Sequence, residues 1–191
     1  MPEIIFAHCQ TYARKPNKAG QCVAQVVGEG LRSGEYHPHV ADPKPPVVIF
    51  GDPEGFQELH DDHVDARRTR AVNNGRVSAR AIRHDRHTLF TLVASYPVPT
   101  VAVEGSPEEL ARFKRWVNKT LAWVREQYGD QLKAAFVHTD ETYPHIHFWC
   151  LPDDPSADAT LLHPGKVAKR ETEARLKKDG VPPREAVAAG N

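Results

Sequence analysis

Residues 138–152 read His138-Thr139-Asp140-Glu141-Thr142-Tyr143-Pro144-His145-Ile146-His147-Phe148-Trp149-Cys150-Leu151-Pro152. The run from His145 is that of a β-strand, and residues two apart on a strand leave the same face, so His145 and His147 present their imidazoles together. The preceding apolar run, Ala134-Ala135-Phe136-Val137, ends at His138, and the polar stretch Asp140 to Pro144 has the length of a hairpin connection. Closing that hairpin returns His138 to the pair. Three neutral imidazoles with an open coordination position suit a borderline divalent ion such as Mn²⁺, Zn²⁺, Co²⁺ or Ni²⁺, acting as a Lewis acid. A bare His-x-His is common on strands that bind nothing. The third histidine, the acidic Asp140-Glu141 pair and Pro144 set this stretch apart.

The string His-x-Asp-Glu-x-x-Pro-His-x-His resembles the metal motif of plasmid mobilisation relaxases of the MobV (Pre/Mob) type, members of the HUH endonuclease group. The resemblance implies that His138, His145 and His147 hold a divalent metal, Mn²⁺ before Mg²⁺, Zn²⁺, Co²⁺ or Ni²⁺, which polarises a phosphate of single-stranded DNA at a transfer origin. It implies plasmid DNA, single-stranded or supercoiled, as partner, with coupling or accessory mobilisation proteins as further candidates. A second, shorter likeness to the same relaxases lies in Arg80-Ala81-Ile82-Arg83-His84-Asp85. In that family a His-x-x-Arg motif on an early helix supplies the nucleophile; the matching residues here are Glu29-Gly30-Leu31-Arg32, with glutamate in place of histidine. Other relaxases of the group carry a tyrosine near this place, after a Gly-Gln-Ser stretch that Gly20-Gln21-Cys22 resembles.

Three readings follow for the nucleophile. Glu29 can attack phosphorus to give an acyl phosphate; Tyr12 or Tyr36 can substitute from neighbouring loops; or the chain binds the origin without cutting it. Glu29 also reads as a solvent-facing helix residue paired with Arg32 at i+3. By resemblance Arg32 supports the phosphate or the nucleophile. Glu141 is the candidate general base and Asp140 the candidate carboxylate that fixes an imidazole tautomer; each is also an ordinary turn acid.

The chain has 191 residues, 40% hydrophobic and 26% charged, which fits one globular domain. Three cysteines without paired spacing, and no charged-then-apolar opening segment, point to a reducing cytoplasm. No apolar run has membrane-span length. The formal net charge is zero, unlike most nucleic-acid binders, but the charge is segregated. Residues 52–65 hold six acidic residues and no Lys or Arg, whereas residues 67–86 hold seven arginines against Asp85. Arg76, Arg80, Arg83 and Arg86 are therefore candidate DNA contacts, or else a solvated face balanced by the acidic helix before it.

Along the chain, Ile4 to Ala7 reads as an opening strand followed by a basic loop through Tyr12, Arg14, Lys15 and Lys18. A helix follows over Gln21–Arg32, weakened by Gly28 and Gly30. A proline-rich loop over 33–46 contains His37 and His39, which stay outside the ligand set. Val47–Phe50 reads as a strand. Pro53–Arg68 reads as a helix with Phe56, Leu59 and His63 or Val64 inward. After a break at 71–75 and the Arg76–Arg86 segment, Thr88–Tyr96 reads as a central strand, ended by Pro97 and Pro99. Ser106-Pro107-Glu108-Glu109 is a capping box opening a long helix, whose apolar stripe runs Leu110, Phe113, Val117, Leu121, Val124 and Tyr128; Trp116 and Trp123 beside it read as core.

These elements predict an α+β fold, an antiparallel central β-sheet with packed helices and the metal on an exposed part of its central strands; the resemblance implies the same architecture, the HUH relaxase-like sandwich. Residues 1–164 form the expected relaxase domain and 165–191 a basic, partly ordered C-terminal tail. The expected activity is metal-dependent nicking of origin DNA by transesterification, leaving the protein on a 5′ phosphate. Other readings are a rolling-circle replication initiator or single-strand transposase, a non-cutting regulatory DNA binder, and a hydrolase of small phosphoesters.

Overall fold

A computed structural model describes residues 6–34, 36 and 38–180. Within them the strands are β1 (Phe6–Ala13), β2 (Val47–Gly51), β3 (Arg68–Asn73), β4 (Arg76–Ala81), β5 (His87–Ser95), β6 (Leu132–His138) and β7 (His145–Cys150). The helices are α1 (Val23–Gly30), α2 (Phe56–Asp65), α3 (Thr100–Gly105), α4 (Pro107–Tyr128) and α5 (Pro164–Lys178). Five strands form one antiparallel sheet in the order β1-β5-β7-β6-β2, while β3 and β4 form a separate two-stranded ribbon. The α+β class and antiparallel sheet read from the sequence are those of the molecule.

Strand alternation sorts the core into two layers. Phe90, Leu92 and Ala94 of β5, Ile146, Phe148 and Cys150 of β7, and Ala135 and Val137 of β6 pack on one face against Phe113, Trp116, Val117 and Val124 of α4. Leu89, Trp149, Ala134 and Phe136 face the other way, against Val23 and Val27 of α1 and Phe56 of α2. The alternate residues His138, His145 and His147 belong to this second face. At the start of α4 the Ser106 hydroxyl accepts from the Glu109 N–H at 3.3 Å, and Pro107 occupies the first turn.

Several element readings need correction. Strand β1 continues through Thr11, Tyr12 and Ala13, paired to β5, so Tyr12 is a strand residue rather than a loop residue; Ile4 and Ile5 lie outside the described residues. Helix α1 is shorter than 21–32 because Leu31 and Arg32 form its C-cap, with Arg32 at φ 54. Helix α2 ends at Asp65, and its buried residues are Phe56, His60 and Val64, a repeat of four; Leu59 is exposed. The break at 71–75 is a hairpin turn at Asn74-Gly75, both at positive φ, joining β3 to β4. Trp116 is core, but Trp123 is half exposed on the outer face of α4. Residues 164–178 form a helix, whereas Pro182, Pro183 and Arg184 lie outside the described residues.

Candidate metal centre

Adjacent central strands bring the three histidines together. His138 pairs directly with His145 across β6 and β7, and Phe136 with His147, so the imidazoles occupy neighbouring rows of one face. Ring centroids are 5.3 Å apart for His138 and His145, 4.7 Å for His138 and His147, and 4.9 Å for His145 and His147. A ring nitrogen from each lies within 4.8 Å of the others. Metal to imidazole bonds of about 2.1 Å make this a set that small side-chain rotations close on one ion. The His147 ring stacks on Phe136 at 5.1 Å and 8°, which fixes its plane.

The nitrogens sort themselves into donors and free lone pairs. His138 Nε2 lies 2.9 Å from the Gly30 carbonyl, and His145 Nδ1 lies 3.1 Å from the Tyr143 carbonyl. A carbonyl only accepts, so each of these nitrogens carries the proton. That leaves His138 Nδ1 and His145 Nε2 as lone pairs. His138 Nδ1 and His147 Nε2 are both buried without a hydrogen-bond partner, an uncommon state for buried polar atoms that leaves both nitrogens available to a ligand. Burial first, then the Arg32 guanidinium, pushes His138 down to about 4. His147 is held well below 6.5 by burial and by the two neighbouring imidazoles. Neutral rings with free, converging nitrogens are the form in which histidine binds a metal.

The site is not on an exposed part of the sheet. His138 is 1% exposed, because the C-terminal end of α1 lies directly on this row. Gly30 makes that approach possible: a Cβ there would sit 2.5 Å from Trp149 and 2.8 Å from Phe136. After Gly30 the chain closes in a Schellman turn, with Arg32 N–H donating to the Glu29 carbonyl and Ser33 N–H to that of Gly28. Arg32 takes the left-handed position where glycine is usual, at a cost of about 1–2 kcal/mol. Its side chain accounts for this strain.

The Arg32 side chain is 4% exposed and grips Asp140 through Nε and Nη2, each at 2.9 Å, while Nη2 also reaches Glu141 Oε1 at 2.7 Å. Nη1 donates to the Glu29 carbonyl at 3.4 Å. Burial opposes the charge on Asp140, but its bonds from Arg32 and from the Lys44 N–H outweigh it and hold the carboxyl at about 2. Asp140 therefore fastens Arg32 and the 33–46 loop to the hairpin. It does not fix an imidazole tautomer; the backbone carbonyls of Gly30 and Tyr143 do that, and no side-chain pattern in the sequence announces a carbonyl. Glu141 Oε1 lies 3.7 Å from both His145 Nε2 and His39 Nε2 and is part exposed, between the triad and solvent. His37 lies outside the described residues.

Glu29 is half-buried one residue before the Gly30 carbonyl. Its carboxylate accepts from Gln25 Nε2 at 3.0 Å, and among the described residues no hydrogen bond or ion pair joins it to the triad. Tyr12 lies on the same side of the sheet; burial first, and then the Glu29 carboxylate, raise its hydroxyl to about 12 against a hydrogen bond with Thr91. Tyr36 is 47% exposed and its ring lies over Gly28. Arg76 and Arg80 stand on the exposed ribbon, with Arg83 and Arg86 at its base. Arg83 pairs with Asp85 and Arg86 with Asp158. Arg83 and Arg86 lie at the His87 end of β5, whereas β5 meets His147 and His145 through Val93 and Ser95 at its other end.

Comparison with known proteins adds to this geometry. Residues 103–178 match the family model Mob_Pre, described as plasmid recombination enzyme. No curated protein matches the chain in sequence. Among solved structures, the MobM relaxase domain (MOBV; Mob_Pre) bound to pMV158 oriT DNA of 22 nucleotides with a 3′ thiophosphate, Mn-bound, aligns with 91% of this chain and 83% of its own, at TM-score 0.58 and 19% identity. The same domain with a 22-nucleotide oriT DNA, also Mn-bound, gives 0.57 and 18% over the same shares. With a 26-nucleotide oriT DNA it gives 0.51 and 16%, over 92% of this chain and 87% of that one. In sequence over residues 103–178, which include the three histidines, and in fold over about nine tenths of its length, the chain is similar to the MobV (Mob_Pre) relaxases.

Proposed function

We propose that the chain is a metal-dependent relaxase that nicks single-stranded DNA at a transfer origin by transesterification, in mobilisation of a plasmid or mobile element. The observation that carries this reading is the set of three converging ring nitrogens, two of them buried and unpartnered, on a fold shared with Mn-bound relaxase domains in complex with oriT DNA. His138, His145 and His147 would hold the ion, with Mn²⁺ as the first candidate. When bound, the metal supplies Lewis acidity at a non-bridging oxygen of the scissile phosphate.

The chain's own residues do the rest. Gly30 and Tyr143 carbonyls hold two imidazoles in the ligating tautomer. Arg32, Asp140 and Glu141 lock the end of α1 to the hairpin and so set where Glu29 stands. Glu29 is the proposed nucleophile: its carboxylate attacks phosphorus, the bond from phosphorus to the 3′ oxygen breaks, and that oxygen leaves as a hydroxyl with a proton from solvent, while Glu29 stays on the 5′ phosphate; Glu141, nearest to solvent beside His145, is the proposed orienting carboxylate, because a carboxylate nucleophile has no proton for a base to take. Residues 1–164 would be the relaxase domain and 165–191 a basic extension, and the place of action the cytoplasm. Among the described residues no helix is long and apolar enough to cross a membrane.

The hydrogen bond of Glu29 to Gln25, with none to the triad among the described residues, favours a second reading: an origin-DNA binder that does not cut. Incubation with supercoiled DNA of its own element and Mn²⁺ separates the two. Nicked circles that disappear on chelation and in His147→Ala support the relaxase; retention of DNA without nicks supports the binder.

A further inference from the structure

Where α4 passes Tyr96, its flank carries a recess of about 200 Å³, lined by Tyr96, Arg112, Arg115, Trp116 and Lys119. From Arg112 the helical residues follow at spacings of three, four and seven, which puts them on one side of α4. Tyr96 and Trp116 belong to the core layer on the α4 face of the sheet. Tyr96 continues β5 past Ser95, its N–H donating to the Pro144 carbonyl at 2.9 Å. The three histidines occupy the opposite face, so the recess is no part of the metal centre.

Its donors divide into committed and uncommitted groups. Arg112 is committed, with Nη2 at 2.7 Å from Glu108 and Nη1 at 3.6 Å from Glu109. Glu109 also accepts from the Tyr96 hydroxyl at 2.6 Å. Arg115 and Lys119 are exposed and, among the described residues, take part in no hydrogen bond or ion pair. Trp116 is only 7% exposed, in ring contact with Tyr96 at 5.2 Å and Phe113 at 5.9 Å, and its Nε1–H is buried without an acceptor. An indole N–H can only donate, and a buried donor rarely stays unpaired. A solvated helix face would account for Arg115 and Lys119 alone. It leaves the indole unexplained, whereas one anion with several acceptor oxygens answers to all three.

Size and charge narrow the anion. The recess is smaller than the roughly 300–1,000 Å³ of pockets that enclose drug-sized ligands. A carboxylate brings a single charge, and so does each phosphodiester of a nucleic-acid backbone. A phosphate monoester carries about −1.5 to −2 at neutral pH, with three strong acceptor oxygens. That matches two free cations and one N–H.

We propose that this recess binds a dianionic phosphate group, as inorganic phosphate or as the terminal group of a small monoester. Arg115 and Lys119 hold it from the rim by charge-assisted hydrogen bonds, and the Trp116 indole donates from the floor. The proposal is independent of the relaxase reading. Its test is a heteronuclear NMR titration of the full chain, in chelator so that no metal competes for phosphate, with inorganic phosphate, glycerol phosphate and dimethyl phosphate as separate probes. The Trp116 indole resonance is identified by its loss in Trp116→Phe.

The expected result is a saturable downfield movement of the Trp116 indole N–H with inorganic phosphate or glycerol phosphate, while that of Trp149, on the other face of the sheet, stays in place. The tighter of these two probes identifies the source of the phosphate, and dimethyl phosphate, a singly charged diester, should bind more weakly than either. Arg115→Gln with Lys119→Gln should weaken binding by at least about tenfold, and Arg115→Lys should retain it. Both positions are exposed, so the rest of the spectrum should match that of the native chain. A Trp116 resonance that does not move, or one that moves equally in the double glutamine variant, overturns the site. Equal binding of dimethyl phosphate overturns its assignment to a dianion. None of these readouts involves nicking, so failure of the chain to cut its origin leaves the result standing.

Discussion

A glycine with no side chain to contribute shapes the candidate metal centre as much as the three histidines do. Gly30 lets α1 touch Trp149 and Phe136 and offers its carbonyl to His138. Gly30→Ala is expected to lift α1, lengthen that hydrogen bond and weaken Mn²⁺ binding by about 10–100-fold, the usual effect of losing such an orienting contact, as calorimetric titration would show. Arg32→Met removes the cation from a buried Asp140 and should cost about 3–5 kcal/mol in chemical denaturation. His60 provides a pH test away from the metal. It is fully buried between Thr88 and Asp61, and burial lowers it from 6.5. The unfolded chain therefore binds more protons below 6.5, so stability present above that pH falls as the medium is acidified. Melting temperature followed from pH 7 downward should drop less steeply in His60→Gln than in the native chain.

Helices and strands show which parts of the sequence were open to reading. Helix α4 was legible because a capping box and an unbroken apolar stripe agree, and β6 and β7 because an apolar run and a polar turn frame the histidines. The ribbon was not: Asn74-Gly75 is a strong hairpin signal, but β4 is exposed throughout and only Thr69 and Ala71 of β3 are partly covered, so no apolar face alternates with a polar one. Trp123 misled for the opposite reason. It sits beside the stripe in sequence, yet the helix turns it outward. Trp116→Ala should cost about 3–5 kcal/mol, while Trp123→Gln should change stability by less than about 0.5 kcal/mol, a contrast that urea unfolding measures directly.

Over the whole molecule, the sheet separates tasks. Its α4 face is a packed core with the cationic recess on the flank of α4, and its α1 face holds the histidines at one end. The three histidines could be named from spacing because a hairpin register is local. What holds them could not: the Gly30 and Tyr143 carbonyls and the Lys44 N–H are backbone groups, and Arg32 reaches Asp140 across 108 positions. The role of Glu29 is the point on which the functional reading turns. Incubating the chain with Mn²⁺ and single-stranded DNA from its own origin, then mapping peptides by mass spectrometry, tests it directly. The expected result is a covalent nucleotide adduct on the peptide containing Glu29, absent in His147→Ala. Intact DNA and unmodified peptides, with Mn²⁺ shown to be bound, would contradict it.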